Sequence, residues 1–208
     1  MFKEYGMSKD NHVKAMKYLS NSGVMERNLQ FRQSIVDLDY KFIISDNIPI
    51  LENIYSKLKE LGFRKKLLQS LYHNSAWNIK DFFLKAYKKE RYLDLKLDAI
   101  RGYSLYASEE EVDKLMNNFM QLLIKRPEST PYNYQEYECL RAACGFPFLI
   151  SQYGYSCFIN VFNQVEKQYN DMPNEFKGHF TLDKDGNIVQ LKTPEESKNL
   201  LDSFFNKK

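Results

Sequence analysis

Apolar side chains return at steps of three and four along most of this 208-residue chain, and that spacing predicts helices nearly throughout. Ile50, Leu51, Ile54, Tyr55, Leu58 and Leu61 form one stripe. Asp46 precedes it as an N-cap, Pro49 lies in its first turn and Gly62 is placed to stop it. Phe63, Leu67, Leu68 and Leu71 make the next stripe, then Ile79, Phe82, Phe83, Ala86 and Tyr87, then Leu93, Leu97, Ile100 and Tyr103. Ser108 and Glu111 read as a capping box ahead of Val112, Leu115, Met116, Phe119, Leu122 and Leu123. Pro127 and Pro131 bracket a loop. Tyr137, Leu140 and Ala143 predict a helix that Gly145 and Pro147 end. Tyr155, Phe158, Val161, Phe162, Val165 and Tyr169 mark the last long helix before Pro173. Two shorter stripes, Val13 to Leu19 and Leu29 to Phe42, lie upstream. With 8 Gly and 6 Pro the chain lacks the turns that a β-sandwich or barrel requires. At 43% hydrophobic and 27% charged residues it can bury a core without a metal or a disulfide.

One segment departs from the helical period. From His179 to Leu191 two short β-like runs flank Asp185-Gly186, a strong signal for a two-residue type I′ hairpin. Thr193, Pro194 and Glu196 then supply an N-cap, a first-turn Pro and a capping Glu for a terminal helix bearing Leu200, Leu201, Phe204 and Phe205. A lone hairpin is marginal in water, so this one is expected to pack on the helical body.

The helices recur. Ser70-Leu71-Tyr72 returns as Ser104-Leu105-Tyr106, 34 positions on. Ile79, Phe82, Phe83 and Ala86 match Val112, Leu115, Met116 and Phe119 at an offset of 33. A looser third unit places Leu140-Arg141 after Ile100-Arg101, with Phe158 and Phe162 echoing Val112 and Met116. Each unit is helix, short turn, helix, and a single pair cannot bury its own stripe, so neighbours must stack. The Trp-Leu-Gly-Tyr spacing of tetratricopeptide repeats is missing. An irregular helical bundle is the alternative architecture.

On these residues the segment from Arg64 to Val165 resembles HEAT-like helical-repeat proteins of low-GC Gram-positive bacteria. Lys96-Leu97-Asp98-Ala99-Ile100-Arg101-Gly102-Tyr103 resembles the first helix of one such unit. The resemblance implies an all-α fold, a right-handed α-solenoid of helix pairs. A domain over 1–175 would carry the C-terminal hairpin and terminal helix of 176–208 packed on it. Some helical-repeat members serve as immunity proteins beside polymorphic toxins, and no catalytic residue carries over.

Charge is unevenly divided. Residues 1–104 carry +7 and residues 105–208 carry −4, for a net +3. Between Lys57 and Arg101 stand 12 basic against 5 acidic residues. The densest part holds Lys80, Lys85, Lys88, Lys89, Arg91, Lys96 and Arg101, interleaved with Trp77, Phe82, Tyr87 and Tyr92. Cations beside aromatics can serve phosphates and bases. They can equally form a solvated helix face whose lysine stems cover the core. Trp77, Lys85, Lys88, Lys89, Arg91 and Lys96 are the candidate basic patch. Tyr132, Tyr134, Tyr137, Tyr153 and Tyr155 are the candidate protein-binding face, made acidic by Glu136 and Glu138, because Tyr combines wide contact with a polar tip.

Other signals are read as structural. Cys139, Cys144 and Cys157 are odd in number, lack zinc spacing and are expected to be core thiols. Asp183, Asp185 and Asn187 superficially fit a calcium loop, but Gly186 is at the wrong offset and Pro194 replaces the required Glu. His12, His73 and His179 share no ligand spacing, and no P-loop, G-x-S-x-G or G-x-G-x-x-G occurs. No apolar leader or membrane span is found, so a cytoplasmic protein without cofactor is expected. The functional expectation is a non-enzymatic, protein-binding helical repeat of the adaptor or immunity type. The alternative is a nucleic-acid-binding protein similar to HEAT-like alkylpurine DNA glycosylases, which hold DNA in a basic groove.

Overall fold

The computed structural model describes residues 48–74, 78–128, 130, 132–185 and 187–190, with isolated positions 14, 17, 18, 202, 205 and 206. The two upstream stripes, Asp46 and the capping signal of the terminal helix lie outside the described residues. What is described is mostly helical, with a single two-stranded antiparallel sheet among these residues. The chain divides into two compact units, Met1–Ala107 and Ser108–Lys208.

The first unit holds α1 (Ile48–Lys57), α2 (Leu61–Asn74), α3 (Lys80–Lys89) and α4 (Leu93–Ser104). Pro49 sits in the first turn of α1, as expected. Gly62 does not end that helix; it lies in the first turn of α2. Arg64 makes the break instead. Its Nη1 donates to Leu58 O at 3.0 Å and Lys59 O at 2.7 Å, satisfying carbonyls that follow the last turn of α1.

Both α2 and α3 pack on α4. That leaves α4 buried on nearly every side, including Leu93, Leu95, Leu97, Ala99, Ile100 and Tyr103. Its polar residues are therefore drawn inward. Arg101 lies 5.1 Å over the Tyr72 ring. Burial, and then Asp98 beside it, pushes the Tyr72 phenol far above its ordinary range.

Gly102 has a packing reason. A Cβ there would overlap the Phe83 ring at Cε1, Cδ1 and Cζ, and Phe83 is fully buried. Gly102→Ala gains about 1 kcal/mol of helix propensity, yet overpacking costs about 1–3 kcal/mol. The expected net loss is up to about 2 kcal/mol in urea unfolding. In a Phe83→Ala background the same change should become neutral or stabilising. An unchanged penalty there would mean that the ring is not what excludes the methyl group.

The second unit holds α5 (Glu109–Lys125), α6 (Tyr132–Tyr153), α7 (Ser156–Asp171), and strands β1 (Phe180–Leu182) and β2 (Ile188–Gln190). Ser108 opens α5 with the expected capping box: Ser108 N donates to Glu111 Oε2 at 2.9 Å and Glu111 N to Ser108 Oγ at 3.4 Å. Both α5 and α6 pack on α7. Phe119, Phe146 and Phe158 meet between them, with centroids 5.9 Å and 6.2 Å apart, all fully buried. Phe82 and Leu115 are buried as expected, but Phe162 is only half-buried, against Phe205 at 6.1 Å.

The helix expected to stop at Gly145 and Pro147 continues to Tyr153. Pro147 removes one ladder hydrogen bond and costs about 3 kcal/mol in a helix interior. Continuing buries Phe146 and Leu149, worth about 1.5–3 kcal/mol each, while Pro147 itself faces outward. Burial wins over propensity.

The hairpin forms, but not around a two-residue turn. A type I′ turn centred on Asp185-Gly186 would set Leu182 opposite Val189; the observed partner is Ile188. Asp183 governs the longer loop. Its Oδ1 accepts from Asp185 N at 2.9 Å and Asn187 N at 2.8 Å, and Asp183 N donates to Asn187 O at 2.9 Å. This is an Asx-type turn, and it also explains the resemblance to a calcium loop.

Candidate functional site

The basic run of the first unit divides between surface and interior. On α3 the row Phe82, Phe83, Ala86 and Tyr87 is buried, and Lys85, Lys88 and Lys89 occupy the exposed side at steps of three and four. Lys85 pairs with Glu52 at 2.6 Å. Past the end of α3 the chain exposes Arg91 and Tyr92, the latter 57% accessible. Lys96 does not belong to this surface. It is only 6% exposed, donates from Nζ to Tyr87 O at 2.7 Å and sits 4.2 Å over the Tyr87 ring. The physical reason is the burial of α4 on both flanks, which gives a lysine there a carbonyl and an aromatic face in place of water. Trp77 lies outside the described residues. Of the interleaved aromatics that are described, Phe82 and Tyr87 are core, and Tyr92 alone is presented.

Beneath this surface two inter-helix turns are tied together. Glu90, just after α3, is 7% exposed. Its Oε1 accepts from Tyr55 Oη at 2.7 Å and lies 3.0 Å from Arg64 Nε. Arg64 thus holds the carbonyls that follow α1 and the carboxylate that follows α3. Burial first, and then Glu90, pushes the Tyr55 phenol far above its ordinary range, so it stays a donor. The turns flank an open cavity of about 340 Å³ lined by Tyr55, Lys59, Arg64, Lys89, Glu90, Arg91 and Tyr92, among others.

In the second unit the Tyr-rich segment is not one face. Tyr134 is exposed and meets Tyr137, which is half-buried on Phe180 with centroids 5.6 Å apart. Tyr153 and Tyr155 are half-buried and pack with each other and with Phe158. The two groups sit at opposite ends of α6, roughly 28 Å apart at 1.5 Å per residue. Tyr132 opens α6, its side chain outside the described residues. Nor do Glu136 and Glu138 make an acidic surface. Glu136 is fully buried, and Glu138 is ion-paired with Arg126.

Glu136 serves the hairpin. Its Oε1 accepts from Gly178 N and its Oε2 from His179 N, both at 2.6 Å. Gly178 has φ 94°, a left-handed conformation that favours glycine, and this brings both amides toward one carboxylate. Sequence reasoning missed Glu136, Glu90 and Arg64 as anchors. The partners that Glu136 and Glu90 anchor, and the carboxylate Arg64 reaches, lie 26 to 43 positions away, so no local spacing marks them.

Cys139 and Cys157 are buried and Cys144 half-buried. Burial pushes the Cys139 thiol up to about 12, which keeps it protonated and unreactive at neutral pH. A second cavity, about 370 Å³, lies over Leu123, Cys139, Ala142 and Val165, with Arg126 and Glu138 in its wall. Among the described residues no group of three His, Cys, Asp or Glu is placed to hold a metal ion. No described helix is long and apolar enough to cross a membrane. No protein-family model, curated protein or solved structure matches this chain.

Proposed function

We propose that the chain is a HEAT-like helical-repeat protein that acts in the cytoplasm by binding another protein, in an adaptor or immunity-type role. Its docking surface is the basic face of the first unit, and the partner surface is acidic. One observation carries this reading: α3 separates a wholly buried apolar row from an exposed cationic row, and that row runs on into Arg91 and Tyr92. Exposed like charges cost self-repulsion, and an acidic partner relieves it. The tyrosines are a poorer surface, since Tyr137 packs on Phe180 and Tyr153 and Tyr155 pack on Phe158.

The test is kinetic. Reversing Lys85, Lys88 and Lys89 to Glu should slow association with a partner co-purified from the native host by about 10-fold or more at low salt. Circular dichroism should be unchanged. Wild-type association should also slow as salt rises, because the screening length is about 10 Å at 0.1 M. An on-rate that ignores both the reversal and the salt would reduce the row to a solvated helix face.

A second reading rests on Tyr92. An exposed ring beside Lys89 and Arg91 could stack a base between phosphate contacts, as in a nucleic-acid-binding protein resembling the alkylpurine DNA glycosylases. Failure to bind duplex or single-stranded DNA near 50 mM salt, where electrostatic binding is strongest, would eliminate it.

A further inference from the structure

We infer that the cavity between the two inter-helix turns of the first unit is an oxyanion site, and that it takes a carboxylate or phosphoryl side chain from an acidic peptide segment of the partner. This rests on the protein-binding reading and gives it a specific contact. The cavity, about 340 Å³, is at the lower end of the size range of ligand pockets, enough for one side chain and its neighbour. Its lining carries four cations, Lys59, Arg64, Lys89 and Arg91, against the single carboxylate of Glu90.

The two kinds of charge are not equivalent. Glu90 is spent on Tyr55 and Arg64 at the floor of the site. The carbonyls after α1, which would repel an anion, already accept from Arg64. Lys59, Lys89 and Arg91 are exposed at the rim, the first from the turn after α1 and the other two from the end of α3 and its turn. Positive charge at the rim over a neutralised floor favours an oxyanion. Tyr92 at the same rim, beside the Tyr55 wall, gives the aliphatic part of an adjacent residue a surface to lie on. The turns are pre-organised by the Arg64 and Glu90 bonds, so little ordering is required on binding.

Four probes separate the sources of the anion: a Glu/Asp-rich peptide, the same peptide with one phosphoserine, a Gln/Asn counterpart and an oligo-thymidine strand. The two anionic peptides should bind at least about 10-fold tighter than the neutral one at low salt, since the rim charges attract them and not their neutral counterpart. The triple variant Lys59→Glu, Lys89→Glu, Arg91→Glu should lose at least about 10-fold of that affinity. Lys88→Glu, exposed on α3 but not in the cavity lining, should stay within about 2-fold. If the Glu variant misfolds by circular dichroism, the Gln version is used with the same expectation. Equal binding of the neutral peptide, an unaffected triple variant or tighter binding of the oligonucleotide each overturn the inference. A Lys88→Glu loss as large as the triple variant's overturns it too, since a diffuse field would then explain the affinity. The two proposals fail separately once the variants share no residue, Lys59→Glu with Arg91→Glu for the cavity and Lys85→Glu with Lys88→Glu for the α3 row. A partner that associates normally with the cavity variant leaves the protein-binding reading standing. A peptide held at the cavity with no effect of the α3 reversal on partner association removes the α3 docking face alone.

Discussion

Glu136→Ala is expected to destabilise the second unit by about 4–6 kcal/mol, the largest effect of any single change considered for this chain. The carboxylate is fully buried and binds two backbone amides at 2.6 Å. A hydrogen bond to a charged group is worth about 1.5–3 kcal/mol, and both bonds go at once. Alanine also strands the N–H groups of Gly178 and His179, of which Gly178 is buried. Glu136→Gln should cost less, about 2–4 kcal/mol, because one acceptor survives while its amide sets a donor against a donor. Urea unfolding measures both, and amide exchange at Phe180 to Leu182 should rise in step as the hairpin loses its anchor. A silent glutamine variant would show that the carboxylate does not hold both amides.

Phe119→Ala is expected to cost about 3–5 kcal/mol, the range for emptying a buried phenylalanine site. Phe119 is fully buried and touches Phe146, which in turn touches Phe158. The three rings come from α5, α6 and α7, so the cavity would open where all three helices meet. Phe162→Ala supplies the contrast. That ring belongs to the same stripe as Phe158, yet it is half-buried, and about 1–2 kcal/mol is expected from its smaller buried area. The melting temperature should fall by roughly 4 °C or more per kcal/mol for a unit of this size. Equal losses at the two positions would contradict the packing described here.

These contrasts separate what periodicity can specify from what it cannot. Spacing of three and four located α1 to α5 and α7, since each buries one stripe and helical geometry alone decides which residues share it. The Ser108 cap was equally legible, because donor and acceptor lie three residues apart. Where local rules failed, packing had outweighed them. Pro147 marks a local helix stop, and the burial of Phe146 and Leu149 carries the helix past it. Asp185-Gly186 signals a two-residue turn, and the Asp183 carboxylate selects a longer loop.

The candidate sites show the same division more sharply. The chain alone placed Lys85, Lys88 and Lys89 on one helix face opposite an apolar row, because their spacing is a property of the helix. It could not tell Lys88 from Lys96. Both are lysines in helical stretches, but α4 is buried on nearly every side while α3 keeps an exposed face, so Lys96 turns inward to Tyr87. Nor could it tell that Glu90 and Glu136 are buried anchors and not surface charges. Their fate depends on groups 26 to 43 residues distant that only the fold brings within 3.5 Å. Local periodicity therefore determined the helices and their polar faces, and tertiary packing decided which charges remain at the surface. Burial strips water from a charge, and the charge is tolerated there only where the fold supplies its donors or acceptors.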